Sequence, residues 1–358
     1  MGLARNTGLA RLPHGGDLAA ARRRFPDAPE PLIDLSTGIN PHPYPLPPLP
    51  PDLFTRLPEP EALERLAAIA ARAYGAAADQ VVVAPGTQSL LAPVFALAPP
   101  GRAAILGPTY AEHARVAALV GHGVEEVRTF EALTGADLAI VVNPNNPDGR
   151  LTSRLALLAL AEVKRRRGGL VVVDEAFAEV GPPGLSVAPE VGRGDLIVLR
   201  SFGKFYGLAG LRLGFAIAAA PVAARLRATF GPWPVAGPAL AAGEAALADA
   251  AWAKTMREVL ARDAARLDAL LTGAGIDIAG GTSLFRLVHT PVAGAVADHL
   301  GRAGIVVRRF AEAPTSLRFG LPADEAAWQR LTAAFDAFAA VEPSTDRSWP
   351  GLSRPPRC

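Results

Sequence analysis

The sequence predicts an α/β protein: a mostly parallel sheet sandwiched by helices in a large domain, with a smaller α+β domain after it. Three observations lead there. Short, wholly apolar runs such as Val81-Val82-Val83, Leu138–Val142 and Leu170–Val173 alternate with stretches of helical period, as strands buried on both faces do. Each run gives way to a polar or glycine- and proline-containing turn, where an open sheet gathers its ligand loops. At 358 residues, 50% of them hydrophobic, the chain has material for about two domains sharing a core.

Near the start of the chain, Pro41–Pro51 is too rich in proline for a helix interior and is expected to be extended or turning. Leu and Ala at helical spacing predict a helix over Glu61–Tyr74, stopped by Gly75. A strand at Val81–Val83 is closed by Ala84-Pro85-Gly86. The rhythm continues with a strand at Ala103–Leu106, a helix over Ala111–Val120 and a strand at Leu138–Val142. A helix over Ser153–Arg166 precedes strands at Leu170–Val173 and Leu196–Arg200. The basic run Lys164–Arg167 reads as a solvated last turn favoured by the helix dipole. One long helix is expected over Ala241–Leu271, bridging two domains. Beyond it, Ser283–His289, a helix over Ala293–Ala303, Ile305–Arg309 and Ser316–Gly320 read as α+β. The expected division is an arm over 1–40, a large domain over 41–245, a small domain over 246–340 and a loose tail over 341–358.

Composition narrows the function classes. With 36 basic and 34 acidic residues the net charge is +2, which gives no electrostatic footprint for nucleic acid. The one cysteine, Cys358, allows neither an internal disulfide nor a Cys-based zinc site, and no metal is expected. No uninterrupted apolar run reaches the roughly 18 residues of a membrane span. No apolar signal region opens the chain, so a cytoplasmic protein without membrane partners is expected.

The chemistry sits in the turns at the strand ends. Gly86 and Thr87 open a helix after Val81–Val83; a glycine permits close backbone approach, and free amides with a hydroxyl suit a phosphate. An ordinary helix start would look the same. Tyr110 ends Gly107-Pro108-Thr109-Tyr110 and is either a core aromatic or a stacking platform. Asn143-Pro144-Asn145-Asn146-Pro147-Asp148-Gly149 makes a rigid polar loop. Asp174 comes after an apolar strand, where a carboxylate is costly unless it meets a cation or a protonated nitrogen. Lys204 lies among glycines and aromatics at another strand end, whereas most lysines lie on solvated faces. An amine, a buried carboxylate, an amide, a ring platform and a phosphate cradle on one sheet edge match the needs of pyridoxal 5'-phosphate.

On NPNNPDG (143–149), VVVDEAF (171–177) and SFGKFYGLAGLRLG (201–214) the chain resembles the class I/II aminotransferases, pyridoxal-phosphate enzymes of fold type I, over roughly residues 30–340. The separations fit as well: 28 residues from Asn146 to Asp174, 30 from Asp174 to Lys204 and eight from Lys204 to Arg212. The resemblance implies that Lys204 is the Schiff-base lysine and that Asp174 pairs with the pyridine nitrogen. It implies that Asn146 contacts the ring hydroxyl and that Tyr110 stacks on the ring. Gly86, Thr87, Ser201 and Arg212 fall where the family holds the cofactor phosphate, and Arg318 where it forks onto the substrate carboxylate. A homodimer with sites at the interface is implied too. Two positions depart: Phe177 and Leu57 stand where many relatives have tyrosines.

The opening segment separates branches of the family. His14-Gly15-Gly16-Asp17 and Leu32–Pro41 resemble the threonine-phosphate decarboxylases of cobalamin biosynthesis. That resemblance implies conversion of L-threonine O-3-phosphate, a small phosphorylated amino acid, to (R)-1-amino-2-propanol O-2-phosphate and carbon dioxide. His14 and Gly15 are then expected to meet the substrate phosphate, with Asn146 also near the substrate. Gly38, Asn40 and Arg318 are expected to fix its carboxylate. Neighbours on a strand face opposite ways, so one of Arg308 and Arg309 should add a guanidinium to the substrate's anionic end, and the match favours Arg308. The alternatives are a histidinol-phosphate-type aminotransferase and a non-catalytic relative. The latter should have lost Lys204, Asp174 or Arg212, and all three are present.

Overall fold

The computed structural model describes residues 14–193 and 195–341; the expected tail over 341–358 falls, from 342 on, outside the described residues. Twelve strands form two sheets among them. The larger contains β2 (Val81–Ala84), β3 (Arg102–Leu106), β4 (Gly123–Val127), β5 (Leu138–Val142), β6 (Leu170–Asp174), β7 (Leu196–Ser201) and β8 (Gly214–Ile217) in the order β2-β8-β7-β6-β5-β3-β4. Its neighbours pair in parallel except where β8 meets β2 and β7. Every residue of β5 and β6 is buried, which is why their sequences carry no polar alternation. The smaller sheet runs β1-β11-β12-β10-β9, from β1 (Ile33–Leu35), β9 (Asp277–Thr282), β10 (Phe285–His289), β11 (Ile305–Arg309) and β12 (Ser316–Phe319). This is the α/β arrangement the apolar runs predict.

The single reversed strand has a consequence for the site. Because β8 runs against its neighbours, its amino end lies at the edge where β2 and β7 end: Gly214 faces both Ala84 and Ser201. Arg212 thereby joins Gly86 and Ser201 from a segment that precedes a strand. A side chain on Gly214 would strike the Thr87 amide at 2.5 Å, so glycine is required for this convergence.

Three expectations change. The long helix is two, Gly237–Ala248 and Ala250–Gly273. Asp249 ends one and caps the other, its carboxylate accepting from the Trp252 amide at 2.8 Å; a cap of this kind restarts a helix inside an alanine-rich run that has no other break. Ser283–His289 is the second half of a hairpin, β9 and β10. Lys164 is not solvated but fully buried. Its ammonium donates to the carbonyls of Leu133 at 2.7 Å, Thr134 at 3.1 Å and Ala136, tying the helix Arg154–Arg167 to the turn before β5.

Pro41–Pro51 is extended and turning, as its prolines require, and regular structure precedes it. Leu18–Arg24 is helical, capped by Asp17, and β1 lies parallel to β11, so the N-terminal segment packs with the C-terminal sheet. Among the described residues no helix is long and apolar enough to cross a membrane.

Candidate active site

A cavity of about 320 Å3 opens at the carboxyl edge of the larger sheet and reaches the smaller one. Ser201 ends β7, and the next turn, Phe202–Phe205, carries Lys204 into this cavity. Phe202 stacks on Tyr206 at 4.7 Å and Tyr206 on Trp252 at 5.7 Å, so the lysine stands on an immobile aromatic base. Its Nζ lies 5.9 Å from the centre of the Phe177 ring. Burial, then Arg318, lowers the ammonium to about 8; Asp174 opposes the shift and Arg212 adds to it. Near neutral pH a usable share of this amine is uncharged, as a nucleophile requires.

Asp174 is the last residue of β6, buried and lining the cavity. The sequence reading missed its neighbour, His113. Its Nε2 lies 3.0 Å from Asp174 Oδ2 without meeting hydrogen-bond geometry, and neither ring nitrogen has a hydrogen-bond partner. The available signal was spacing: His113 stands three residues after Tyr110, one helical turn on, and the two rings meet edge to face at 5.5 Å. One residue beyond Asp174, Glu175 pairs with buried Arg200 at 2.8 Å, and Arg200 reaches Glu179 at 2.7 Å. That network ties the ends of β6 and β7 together beneath the lysine and the aspartate.

Tyr110 lines the cavity, and its hydroxyl donates to Gln88 Oε1 at 3.3 Å. Burial, reinforced by Glu112 and Asp174, raises the phenol to about 12, so it stays neutral. Gln88 and buried Glu112 were also missed. Gln88 Nε2 donates to Glu112 at 2.6 Å, and Arg115 clamps the same carboxylate with two bonds.

Gly86, Thr87, Ser201 and Arg212 line one side of the cavity. Gly86 has φ +83° and opens the helix Thr87–Phe95; a Cβ there would lie 2.9 Å from Arg212 Nη2. Arg212 itself has φ 53°, the one positive value at a non-glycine residue among those described. Backbone strain of this kind costs about 1–3 kcal/mol and gathers at ligand sites. Amides at a helix start, two hydroxyls and a guanidinium form an anion cradle.

Across the cavity stand β11 and β12. Arg318 is buried, with Nη2 on the Ser36 carbonyl at 2.9 Å and Nη1 on the Asn146 side chain. Its Nε has no partner. Burial, then Arg308, lowers it to about 10. Arg308 lies opposite it in register and lines the cavity, whereas Arg309 is exposed and pairs with Asp298 at 2.7 Å. His14 and Gly15 line the mouth.

Gly38 and Asn40 are placed differently from expectation, since neither lines the cavity. Gly38 is wedged between Phe285 and Phe177. Asn40 donates to the Phe205 carbonyl at 2.7 Å and accepts from His42, while its own amide binds the Lys204 carbonyl at 2.9 Å. Asn40 thus supports the lysine turn from behind. Ser36 and Thr37, just before Gly38, take the lining positions. Leu57 is exposed. Among the described residues no group of His, Cys, Asp or Glu is arranged to hold a metal ion.

Residues 53–335 match the family model for aminotransferase class I and II. A threonine-phosphate decarboxylase of a Sinorhizobium species is 45% identical over 336 residues, covering 93% of this chain and 99% of the relative. One from Pseudomonas aeruginosa is 44% identical over 330 residues, covering 91% and 98%. The solved histidinol-phosphate aminotransferase of Sinorhizobium meliloti, in complex with pyridoxal 5'-phosphate, superposes with a TM-score of 0.77 at 22% identity, covering 94% of this chain and 99% of that one. That last likeness is one of fold. The chain belongs to the class I and II aminotransferase family, with the α/β architecture of its pyridoxal-phosphate enzymes.

Proposed function

We propose that this chain decarboxylates L-threonine O-3-phosphate to (R)-1-amino-2-propanol O-2-phosphate, with pyridoxal 5'-phosphate as cofactor, in the assembly of cobalamin. The observation that carries the reading is the company Lys204 keeps. One cavity holds the cofactor-type set together with Arg318, Arg308 and His14, enough cationic and donor groups for a substrate that is anionic at both ends. The two relatives identical at 44–45% across almost their whole length bear the same activity in their names.

The residues present fit the cofactor. The Gly86–Arg212 approach leaves a cradle that any side chain at 86 would fill, and the amine, carboxylate and amide stand around the same space. Lys204 would hold the aldehyde carbon, Asp174 the ring nitrogen and Asn146 the ring hydroxyl. Tyr110 would cover one face; Gly86, Thr87, Ser201 and Arg212 would grip the phosphate. When bound, the cofactor supplies an aldehyde for the amine and a protonated ring that draws electrons from a bond at the substrate's α-carbon.

The rest is the work of the chain. Asp174, with His113 behind it, presents a fixed negative charge. Arg318 grips the substrate carboxylate, while His14 and Arg308 grip its phosphate. Holding the substrate at both ends decides whether the carboxylate or the α-hydrogen departs, so orientation separates a decarboxylase from a transaminase. After carbon dioxide leaves, Lys204 in its ammonium form would donate a proton to the α-carbon in the place the carboxylate vacated, becoming the neutral amine. Phe177, where a tyrosine would offer a hydroxyl, keeps this side of the site apolar.

The same reading makes the protein a cytoplasmic homodimer. Phe54, Leu57 and Trp233 are 67%, 64% and 55% exposed, apolar side chains that a second copy would cover. It also keeps the division at 41–245 and 246–340, with residues 14–40 of the arm docked on the smaller unit through β1; residues 1–13 of the arm lie outside the described residues. The test is to incubate the cofactor-loaded protein with threonine phosphate. Carbon dioxide and aminopropanol phosphate in equal amounts are expected. Glutamate consumption or formation with a 2-oxo acid, without gas, would instead make it a transaminase.

A further inference from the structure

Ser36 lies inside Leu32–Pro41 with no role of its own assigned above, yet it is buried and touches both ends of the site. Its hydroxyl donates to Asp34 Oδ1 at 2.5 Å, and the same oxygen accepts from the Gly16 amide at 2.8 Å. Its own amide donates to Asp34 Oδ1 at 2.8 Å, so the rotor is locked from two directions. Its carbonyl accepts from Arg318 Nη2 at 2.9 Å. Gly15 lies flat against it: a Cβ there would fall 2.3 Å from the Ser36 carbonyl oxygen. On the other side His14 meets residues that follow β3, Glu112 Oε1 at 3.4 Å and the Tyr110 ring at 5.8 Å.

We propose that Ser36 is a specificity-determining positioning residue: its hydroxyl pins the His14-Gly15-Gly16 turn so that this turn meets the substrate's phosphate, while its carbonyl steadies Arg318. The inference rests on the reading that the substrate carries a phosphate at one end and a carboxylate at the other. The two functions of Ser36 are separable, because removing the hydroxyl leaves the carbonyl in place. Ser36→Ala therefore releases the N-terminal turn without disturbing the grip on the carboxylate.

The test compares two ligands of the cofactor-loaded protein: threonine phosphate as substrate, and L-threonine as a competitive inhibitor of its turnover. Ser36→Ala is expected to raise KM for threonine phosphate about tenfold, the worth of one hydrogen bond, and to change the inhibition constant of L-threonine less than about twofold. In a His14→Ala background the Ser36→Ala change should add almost nothing, because the two act through one turn. Equal weakening of both ligands, or full additivity, would overturn the proposal in favour of a structural role. Hydrogen exchange in the unaltered protein tests the tie without a variant: the Gly16 amide should be protected, and free exchange there would sink the proposal even if Ser36→Ala fails to fold. Failure of the unaltered protein to release carbon dioxide would strike the proposed reaction and leave this tie untouched.

Discussion

Lys164 and Lys204 are both withdrawn from water, and their surroundings are opposites. Lys164 is fully buried, and its three donors are spent on the carbonyls of Leu133, Thr134 and Ala136. Lys204 faces a cavity, with an aromatic ring 5.9 Å away and two guanidinium groups that, together with burial, disfavour its charge. Burial is common to both, so burial alone does not mark a reactive lysine. Burial lowers both ammonium groups to about 8, so what separates them is whether the amine is spent on backbone carbonyls or faces open space. The first lysine is a fastening; the second is a nucleophile.

Exchanging each lysine sharpens the contrast most. Lys204→Ala should abolish turnover while leaving the melting temperature close to that of the parent. Residual turnover of more than a few per cent would deny the lysine its role. Lys164→Met should do the reverse, costing about 3 kcal/mol in urea unfolding because the carbonyls of Leu133, Thr134 and Ala136 lose the ammonium they share, with kcat per folded molecule unchanged. A loss under about 1 kcal/mol would mean water reaches those carbonyls.

The pH dependence is the next largest effect. Attack on an aldehyde needs the neutral amine, and the Lys204 ammonium is lowered to about 8. Cofactor uptake by cofactor-free protein should therefore rise about tenfold per pH unit below 8 and level off above it. An unperturbed lysine would keep climbing to about 10.4. Smallest is Gly86→Ala, which adds a Cβ at φ +83° beside Arg212. It should weaken cofactor affinity about tenfold, measured by titrating cofactor-free protein, and leave Lys204 the modified residue at saturation. Unchanged affinity would mean the phosphate lies elsewhere.

The two lysines also show where the sequence was readable. Lys204 comes directly after β7, and Asp174, Asn146, Tyr110 and Gly86 each stand at the end of another strand of the same sheet. A parallel sheet converts order along the chain into proximity at one edge, so these residues could be grouped from the sequence. Lys164 lies in a run of four basic residues, and nothing local says that the turn Glu131–Gly135 closes over one of them. Arg318 and Ser36, 282 positions apart, meet only because β1 lies beside β11 and β11 beside β12. Non-local pairing also hid the role of Ser36 and Thr37, and left Gly38 and Asn40 expected in the lining. The break at Asp249 was masked by alanine, which favours a helix on either side of it.

The most direct test of the contrast is to load the protein with pyridoxal 5'-phosphate, reduce with borohydride and map the peptides. A single stable adduct on Lys204, with Lys164 unmodified, is the expected result. An adduct on Lys164 or any other lysine, or none at all, would contradict the assignment on which the proposed chemistry stands.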